Sequence, residues 1–186
     1  MKLTLSRTEM LRLRRMSAGL EPLRNDCSIE ITDGIDLDEA LARQMRAWYL
    51  NLLDTGPRQW IAPEDIFAEA AVYPGADSGS LVSLPSCCRR AFEIRLQEWA
   101  VAVPVLPAER LSEVLNRQRN PFTAATASSP VAVAAMLGDG RQEILAWPPG
   151  GEVVLLTAAT DRGEDVYTFD EAAMATWPTV LPDFEP

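Results

Sequence analysis

The sequence predicts an α+β fold in which N-terminal helices pack against a C-terminal antiparallel sheet. Helical patterns dominate residues 1–75, and short alternating strands separated by glycine and proline turns fill residues 76–186. The chain has 186 residues of which 47% are hydrophobic, which is enough for a substantial core. We expect a mainly helical region at 1–75 and a β-rich region with one short helix at 76–186, forming two domains or a single one.

The first helix is predicted from its capping residues. Ser6 and Glu9 have the spacing of a capping box, in which each side chain accepts a hydrogen bond from the other residue's backbone N–H. Met10, Leu13 and Leu20 then fall on one face of a helix. We therefore expect an amphipathic helix that begins at Ser6.

A short strand is predicted over residues 28–32, followed by a second helix that begins near Asp36 and ends before Gly56. Apolar residues recur in this helix at helical spacing, and we expect the stripe to lie in the core. Its members are Leu37, Leu41, Met45, Trp48 and Leu52. A third helix is predicted to begin after Pro63-Glu64-Asp65 and to run to about Val72, because proline is favoured in the first turn and acids are favoured at the positive N-terminal end of a helix.

The second half of the chain is predicted to be strand-rich. The predicted strands are residues 81–85, 91–103, 131–136, 143–147, 152–157 and 166–169, and a short helix is predicted at 109–117. The spacing within 91–103 also fits a helix, and we favour a strand with a bulge near Glu98. Glycine and proline turns join the three strands between 131 and 157, which is typical of an antiparallel meander.

Composition excludes several classes of chemistry. The chain has no histidine, which removes Ser-His-Asp and Cys-His catalysis and imidazole metal ligands. Lys2 is the only lysine, so no Schiff-base or phosphate-loop lysine is expected inside the fold. Three cysteines without a paired spacing offer neither a disulfide framework nor a zinc corner. We expect no metal, nucleotide or organic cofactor.

The remaining groups that could support catalysis are carboxylates and thiols. They are Glu93 with Glu98, the acids Asp161, Glu164 and Asp165, and Cys87 or Cys88 beside Arg89 and Arg90. Nothing in their spacing distinguishes them from the acids of any acidic protein or from small apolar residues near a turn. A carboxylate-based hydrolase is therefore the third interpretation of this chain, and we expect no enzyme.

The charge distribution predicts an association surface in the first helix. Residues 1–24 carry six basic residues against two acids, whereas residues 150–186 carry one arginine against eight acids. Arg12, Arg14 and Arg15 spread over several faces of the first helix, and we expect them to contact acidic residues within 161–171, in the same chain or in a neighbour. A solvated surface is the alternative interpretation.

Tryptophans next to proline suggest further contact points. Trp60, Trp147 and Trp177 lie at the predicted ends of elements, where large amphipathic rings often anchor interfaces, and packing of the element ends explains each equally well. The net charge of −10 argues against general nucleic-acid binding. The sequence has no signal peptide and no apolar run long enough for a membrane span, so we expect a cytoplasmic protein.

Part of the chain resembles the β-rich region of head-to-tail adaptor (neck) proteins of tailed phages. The resemblance covers about residues 80–135 and rests on Leu84-Pro85, Cys88-Arg89-Arg90, Trp99, Asn120-Pro121-Phe122 and Pro130. Ser86 and Cys87 stand where that family's turn carries an acid. The resemblance implies a ring-forming, non-enzymatic protein of a virion or prophage, and for a phage protein it implies location in the virion.

These observations favour a structural or interaction protein that forms a homo-oligomer or joins a larger protein assembly. The alternative is a domain that binds a small molecule or peptide between its sheet and its helices. Catalysis ranks third, because the residues that most often perform it are missing.

Overall fold

The computed structural model describes residues 1–17, 19, 37–75, 78–136 and 142–178. The chain forms two compact units, of which unit 1 comprises residues 1–62 and 161–186 and unit 2 comprises residues 63–160. The strand predicted at 28–32 lies outside the described residues, as does Cys27.

The described residues contain three α-helices and ten strands. In chain order these are β1 (Lys2–Ser6), α1 (Arg7–Ser17), α2 (Leu37–Thr55), β2 (Glu64–Asp65), β3 (Ala71–Pro74), β4 (Ser80–Ser83), β5 (Cys88–Leu96), β6 (Val103–Leu106), α3 (Leu111–Gln118), β7 (Val131–Met136), β8 (Gln142–Trp147), β9 (Val153–Thr160) and β10 (Val166–Asp170). Single 3₁₀ turns lie at Arg58–Trp60, Phe67–Glu69, Ala108–Arg110 and Glu171–Thr176.

Unit 1 is built on a two-stranded antiparallel ribbon of β1 and β10, in which Leu3 lies opposite Phe169. The predicted capping box at the start of α1 is confirmed. The Ser6 backbone N–H donates to Glu9 Oε2 at 2.8 Å, and the Glu9 N–H donates to Ser6 Oγ at 3.3 Å. The box places α1 directly after β1, where it packs against α2.

The core of unit 1 lies between α2 and the ribbon. Leu41, Met45 and Leu52 are buried, which confirms most of the predicted stripe. Tyr49, also buried, reaches the ribbon, where its hydroxyl donates to the Thr168 carbonyl and accepts from the Thr168 N–H, both at 3.3 Å. These contacts hold α2 on the ribbon.

Unit 2 is an eight-stranded sheet with the strand order β2-β9-β5-β6-β7-β8-β4-β3. Neighbouring strands are antiparallel except β6 and β7, which are parallel. The larger hydrophobic cluster includes Val82, Ile94 and Leu156. A smaller cluster brings Val133 and Trp147 against Val114 of α3. The helix α3, with the 3₁₀ turn before it, confirms the helix predicted at 109–117.

The predicted fold class is wrong. The large sheet is formed within residues 63–160 and is mixed, not antiparallel. The N-terminal helices α1 and α2 belong to unit 1, where their apolar faces are buried against each other and against the β1–β10 ribbon. Strand β1 supplies the reason, because its pairing with β10 gives these helices a partner of their own.

The third predicted helix, between Pro63 and Val72, is also wrong. Asp65 does not cap a helix, because its carboxylate oxygen Oδ1 accepts the Leu156 N–H at 3.1 Å and the Phe67 N–H at 3.3 Å. Residues 64–65 instead pair with β9 as an edge strand, and a single 3₁₀ turn and β3 follow. The acid thus joins the segment to the sheet.

The strand prediction is confirmed for most elements, but their pairing differs from the predicted meander. Strands β7 and β8 are antiparallel neighbours as expected. Strand β9 instead pairs with β5 and with β2. The segment predicted at 91–103 is a strand as far as Leu96, and its irregularities fall within β5, before Glu98.

Candidate functional site

An open groove with a volume of about 560 Å³ runs along the outer side of α2 in unit 1. We call it the tryptophan groove. Its walls include Trp48, Asn51, Thr55, Trp60, Thr176 and Pro178, and none of the described residues that line it is charged. In a chain whose charged residues make up 24% of the sequence, this uncharged surface stands apart from the rest.

Trp48 forms one wall and is held by its surroundings. Its ring lies edge-on to Phe169 at 5.3 Å and to Trp177 at 5.9 Å between centroids. Its indole N–H donates to Thr176 Oγ1 at 3.2 Å, and Thr176 in turn donates to the Ala173 carbonyl at 2.8 Å. The ring is therefore half-buried and fixed in orientation, not enclosed in the core as predicted.

Gly56 and Trp60 shape the opposite wall. The Gly56 N–H donates to the Leu52 carbonyl at 2.9 Å, and a Cβ on residue 56 would lie 2.4 Å from that same oxygen. Glycine avoids this close contact because it has no Cβ. The helix α2 ends just before Gly56, and Pro57 then leads into a 3₁₀ turn. That turn carries Trp60, half-buried, into the groove.

A second open groove, with a volume of about 440 Å³, lies on another side of α2. We call it the arginine groove; it is lined in part by Arg7, Arg43, Arg46, Glu164 and Tyr167. Its charges are largely matched, since Arg43 pairs with Glu39 and Arg46 forms a two-point ion pair with Asp161. Burial raises the pKa of Tyr167, and the positive charges of Arg46 and Arg7 act in the opposite direction.

The three arginines predicted as an association surface occupy different environments. Arg12 is exposed. Arg14 is fully buried, where its guanidinium donates to Gln44 Oε1 at 3.1 and 3.3 Å, and burial lowers its pKa. Arg15 is largely enclosed and pairs with Asp38. The acidic segment 161–171 instead pairs through Asp161 with Arg46 of α2 and through Asp170 with the N-terminal amine of Met1.

The three tryptophans predicted as anchors also differ in exposure. Trp60 lines the tryptophan groove. Trp147 is buried in the cluster beneath α3. Trp177 is 9% exposed, and its indole N–H has no hydrogen-bond partner within the part of the chain that the structure describes. Sequence analysis missed Asn51 and Thr55, whose only signal was their i, i+4 spacing beside the apolar stripe.

The residues considered for catalysis have structural contacts. Glu98 Oε2 accepts the Gly151 N–H at 2.6 Å. Asp161 binds Arg46 and accepts the Gly163 N–H at 3.1 Å in the turn after β9. Burial, together with a smaller effect of the neighbouring Cys87, raises the pKa of the Cys88 thiol to about 12. Cys88 is therefore protonated at neutral pH and is a poor nucleophile.

Two further kinds of feature are absent from the described residues. Where the chain is described, no group of three or more acidic or cysteine side chains is placed to hold a metal ion. None of the described helices has both the length and the apolar character needed to cross a bilayer. In comparisons with known proteins, no family model and no curated protein matches this chain.

Proposed function

We propose that this chain is a non-enzymatic interaction protein that assembles with copies of itself or with a larger protein complex. Its tryptophan groove receives an apolar, uncharged segment of a protein partner. The absence of charge from the groove lining supports this proposal most directly, because an uncharged surface is matched by an occupant that brings no unpaired charge.

The groove has the properties of a preformed receptor. Tryptophan offers a large contact area with few rotatable bonds, and Trp48 is already fixed by Phe169, Trp177 and Thr176. Little side-chain entropy is therefore lost when a partner covers it. The Asn51 and Thr55 side chains, which hydrogen-bond to each other at 2.6 Å, place polar atoms at the exposed rim.

A crosslinking experiment tests the groove. Thr55 is exposed and lines it, so a photoreactive benzoylphenylalanine at residue 55 contacts whatever the groove holds in the host cell. We expect protein adducts on illumination. The matched control carries the same group at Asn116, an exposed position of α3, and gives far fewer adducts. Absence of protein adducts at residue 55, or equal yields at both positions, would contradict the proposal.

The more specific form of this proposal is a component of a tailed-phage neck. It is supported by the resemblance over residues 80–135, in which Pro130 heads β7 and Asn120-Pro121-Phe122 forms an exposed turn. The neighbouring genes test it. Portal, capsid or tail genes beside this one are expected, and an operon of metabolic enzymes would argue against a neck role while leaving the groove proposal unaffected.

A further inference from the structure

Phe122 is an unusually exposed side chain. It is 97% exposed, more than any other large hydrophobic residue among those the structure describes. An aromatic ring in water contributes nothing to the folded state, since its apolar area remains hydrated. Such a ring becomes useful when a second surface covers it.

The turn that carries Phe122 is held by hydrogen bonds on both sides. Asn120 Oδ1 accepts the Phe122 N–H at 3.0 Å, and Thr123 Oγ1 donates to the Arg117 carbonyl at 2.9 Å. Gln118 Oε1 accepts the Ala125 N–H at 3.0 Å, and Pro121 fixes its own φ. The ring is therefore presented by an ordered backbone, which reduces the entropy lost on binding.

We propose that the Phe122 turn of one molecule inserts into the tryptophan groove of a second copy of this chain. This inference rests on the proposed function of the groove and names its occupant. The ring is 97% exposed among the described residues, which leaves it accessible to a second copy of the chain. The groove, at about 560 Å³, has room for a phenyl ring and the adjoining proline, and its described lining carries no charge that either group would leave unpaired.

Charge around the two surfaces favours their encounter. No acidic residue occurs between Val114 and Met136, whereas Arg117 and Arg119 flank the turn and are exposed. Unit 1, which carries the groove, has ten basic residues against sixteen acids over residues 1–62 and 161–186. A basic turn approaching an acidic unit is attracted at long range, and salt weakens this attraction.

The turn and the groove are different surfaces, so their contact is head-to-tail. After each pairing one turn and one groove stay unoccupied, and further copies add until the assembly closes as a ring or continues as a filament. Removing either surface from every molecule therefore stops assembly. A mixture of one variant that lacks the turn and another that lacks the groove can still form one contact. In that contact the turn of the second variant enters the groove of the first.

The test uses two exposed-site variants of the full chain and measures mass by light scattering and analytical ultracentrifugation. Phe122→Ser removes the ring, and Asn51→Arg places a charge in the groove. We expect wild type to exceed the single-chain mass of 20.5 kDa as concentration rises, and each variant to associate about thirtyfold or more weakly. An equal mixture of the two variants should form dimers that grow no further.

Matched controls separate this contact from general effects. Met136→Ser removes another exposed hydrophobic side chain, and Asn116→Arg repeats the groove substitution on α3. Both should assemble as wild type does, and all four variants should keep the wild-type melting temperature.

Three results would overturn the inference. One is a wild-type chain that stays monomeric at every concentration. Another is assembly of Phe122→Ser at wild-type strength, which would leave the groove proposal intact if residue 55 still forms adducts with a different protein. The third is a variant mixture that fails to pair although each single variant is folded and monomeric.

Discussion

The two units build their cores from different side chains. In unit 1, aromatic rings meet edge-on around α2 and the ribbon, as Tyr49 does with Tyr167 at 5.1 Å and Trp48 with Phe169 at 5.3 Å. Arg14 is buried in the same unit. Unit 2 buries Trp99 and Trp147 as well, but most of its core consists of aliphatic and alanine side chains. They include Val82, Ile94, Ala132, Ile144, Ala146, Leu156 and Ala158.

This difference has consequences for both stability and surface. A core of few large rings depends strongly on each ring, whereas a core of many small side chains distributes its burial. The rings of unit 1 also extend to its surface, where Trp48 becomes a groove wall. Unit 2 instead carries Phe122 on a turn, where it is 97% exposed, more than any other described ring. Unit 1 thus offers a recess, and unit 2 offers a projection.

Truncating the central ring of unit 1 tests this contrast most severely. Phe169 is fully buried, so Phe169→Ala should lower the free energy of unfolding by about 3–5 kcal/mol. Leu156→Ala in unit 2, also fully buried, should cost about 2–5 kcal/mol and less than the first. Denaturant titration of both variants gives the two values. A greater loss for Leu156→Ala would reverse the comparison.

The buried arginine of unit 1 should be the next most sensitive position. Arg14→Ala removes the partner of Gln44 Oε1 and leaves a space between α1 and α2, so we expect a loss of about 2–4 kcal/mol in unfolding free energy. The exposed neighbour provides the control. Arg12→Ala should change the same quantity by less than about 0.5 kcal/mol. Equal effects at both positions would mean that Arg14 is not a core residue.

Substitutions of Gly56 in unit 1 and Gly151 in unit 2 compare how well the two units tolerate an added methyl group. Gly56→Ala places Cβ against the Leu52 backbone oxygen, which cannot move away, and should cost about 1–3 kcal/mol. In Gly151→Ala the nearest atom, at 3.0 Å, is a carboxylate oxygen of Glu98. That side chain can rotate, so we expect a smaller loss. Thermal melts of both variants check the order, and a larger loss at residue 151 would refute it.

The smallest expected effect is a pH dependence of the α1 cap. Hydrogen bonds from the Ser6 backbone and hydroxyl hold the pKa of Glu9 below its usual value of 4.5. The cap therefore contributes above that pH, and its contribution is lost as pH falls through the lower pKa of the folded state. The Ser6 amide shift, followed by NMR, should report this titration. Glu9→Gln keeps an accepting oxygen and should abolish the transition; an unchanged titration would show that another group causes it.

Local signals predicted local structure well. The Ser6 and Glu9 pair forms its hydrogen bonds as expected, and the predicted strand 131–136 is β7. Pairing partners were not predictable in this way. Strand β9 follows β8 through a glycine-rich turn that resembles a hairpin, yet it pairs with β5 and β2, because sheet order depends on contacts distant in sequence.

In the candidate site, too, the local structure was predictable from the sequence, whereas the contacts between distant residues were not. Periodicity placed Trp48 on the apolar side of α2 but could not show that the ring reaches the edge of that face. The groove exists because Thr176 and Pro178, more than a hundred residues later in the chain, form part of its wall. No pattern within α2 contains that information. The turn at Asn120-Pro121-Phe122 lies outside every helix and strand predicted from the sequence, and the near-complete exposure of its ring is visible only in the structure.

The pairing of β1 with β10 sets an order of events during synthesis. Leu3 is made early and its partner Phe169 late, whereas every strand of unit 2 has been synthesised before residue 161 is added. At a translation rate of about 5–20 residues per second, residues 63–160 take roughly 5–20 s to make. Throughout that interval the apolar face of α2 lacks the ribbon that later covers it. A nascent chain of this protein therefore needs protection at α2 until its last strand arrives.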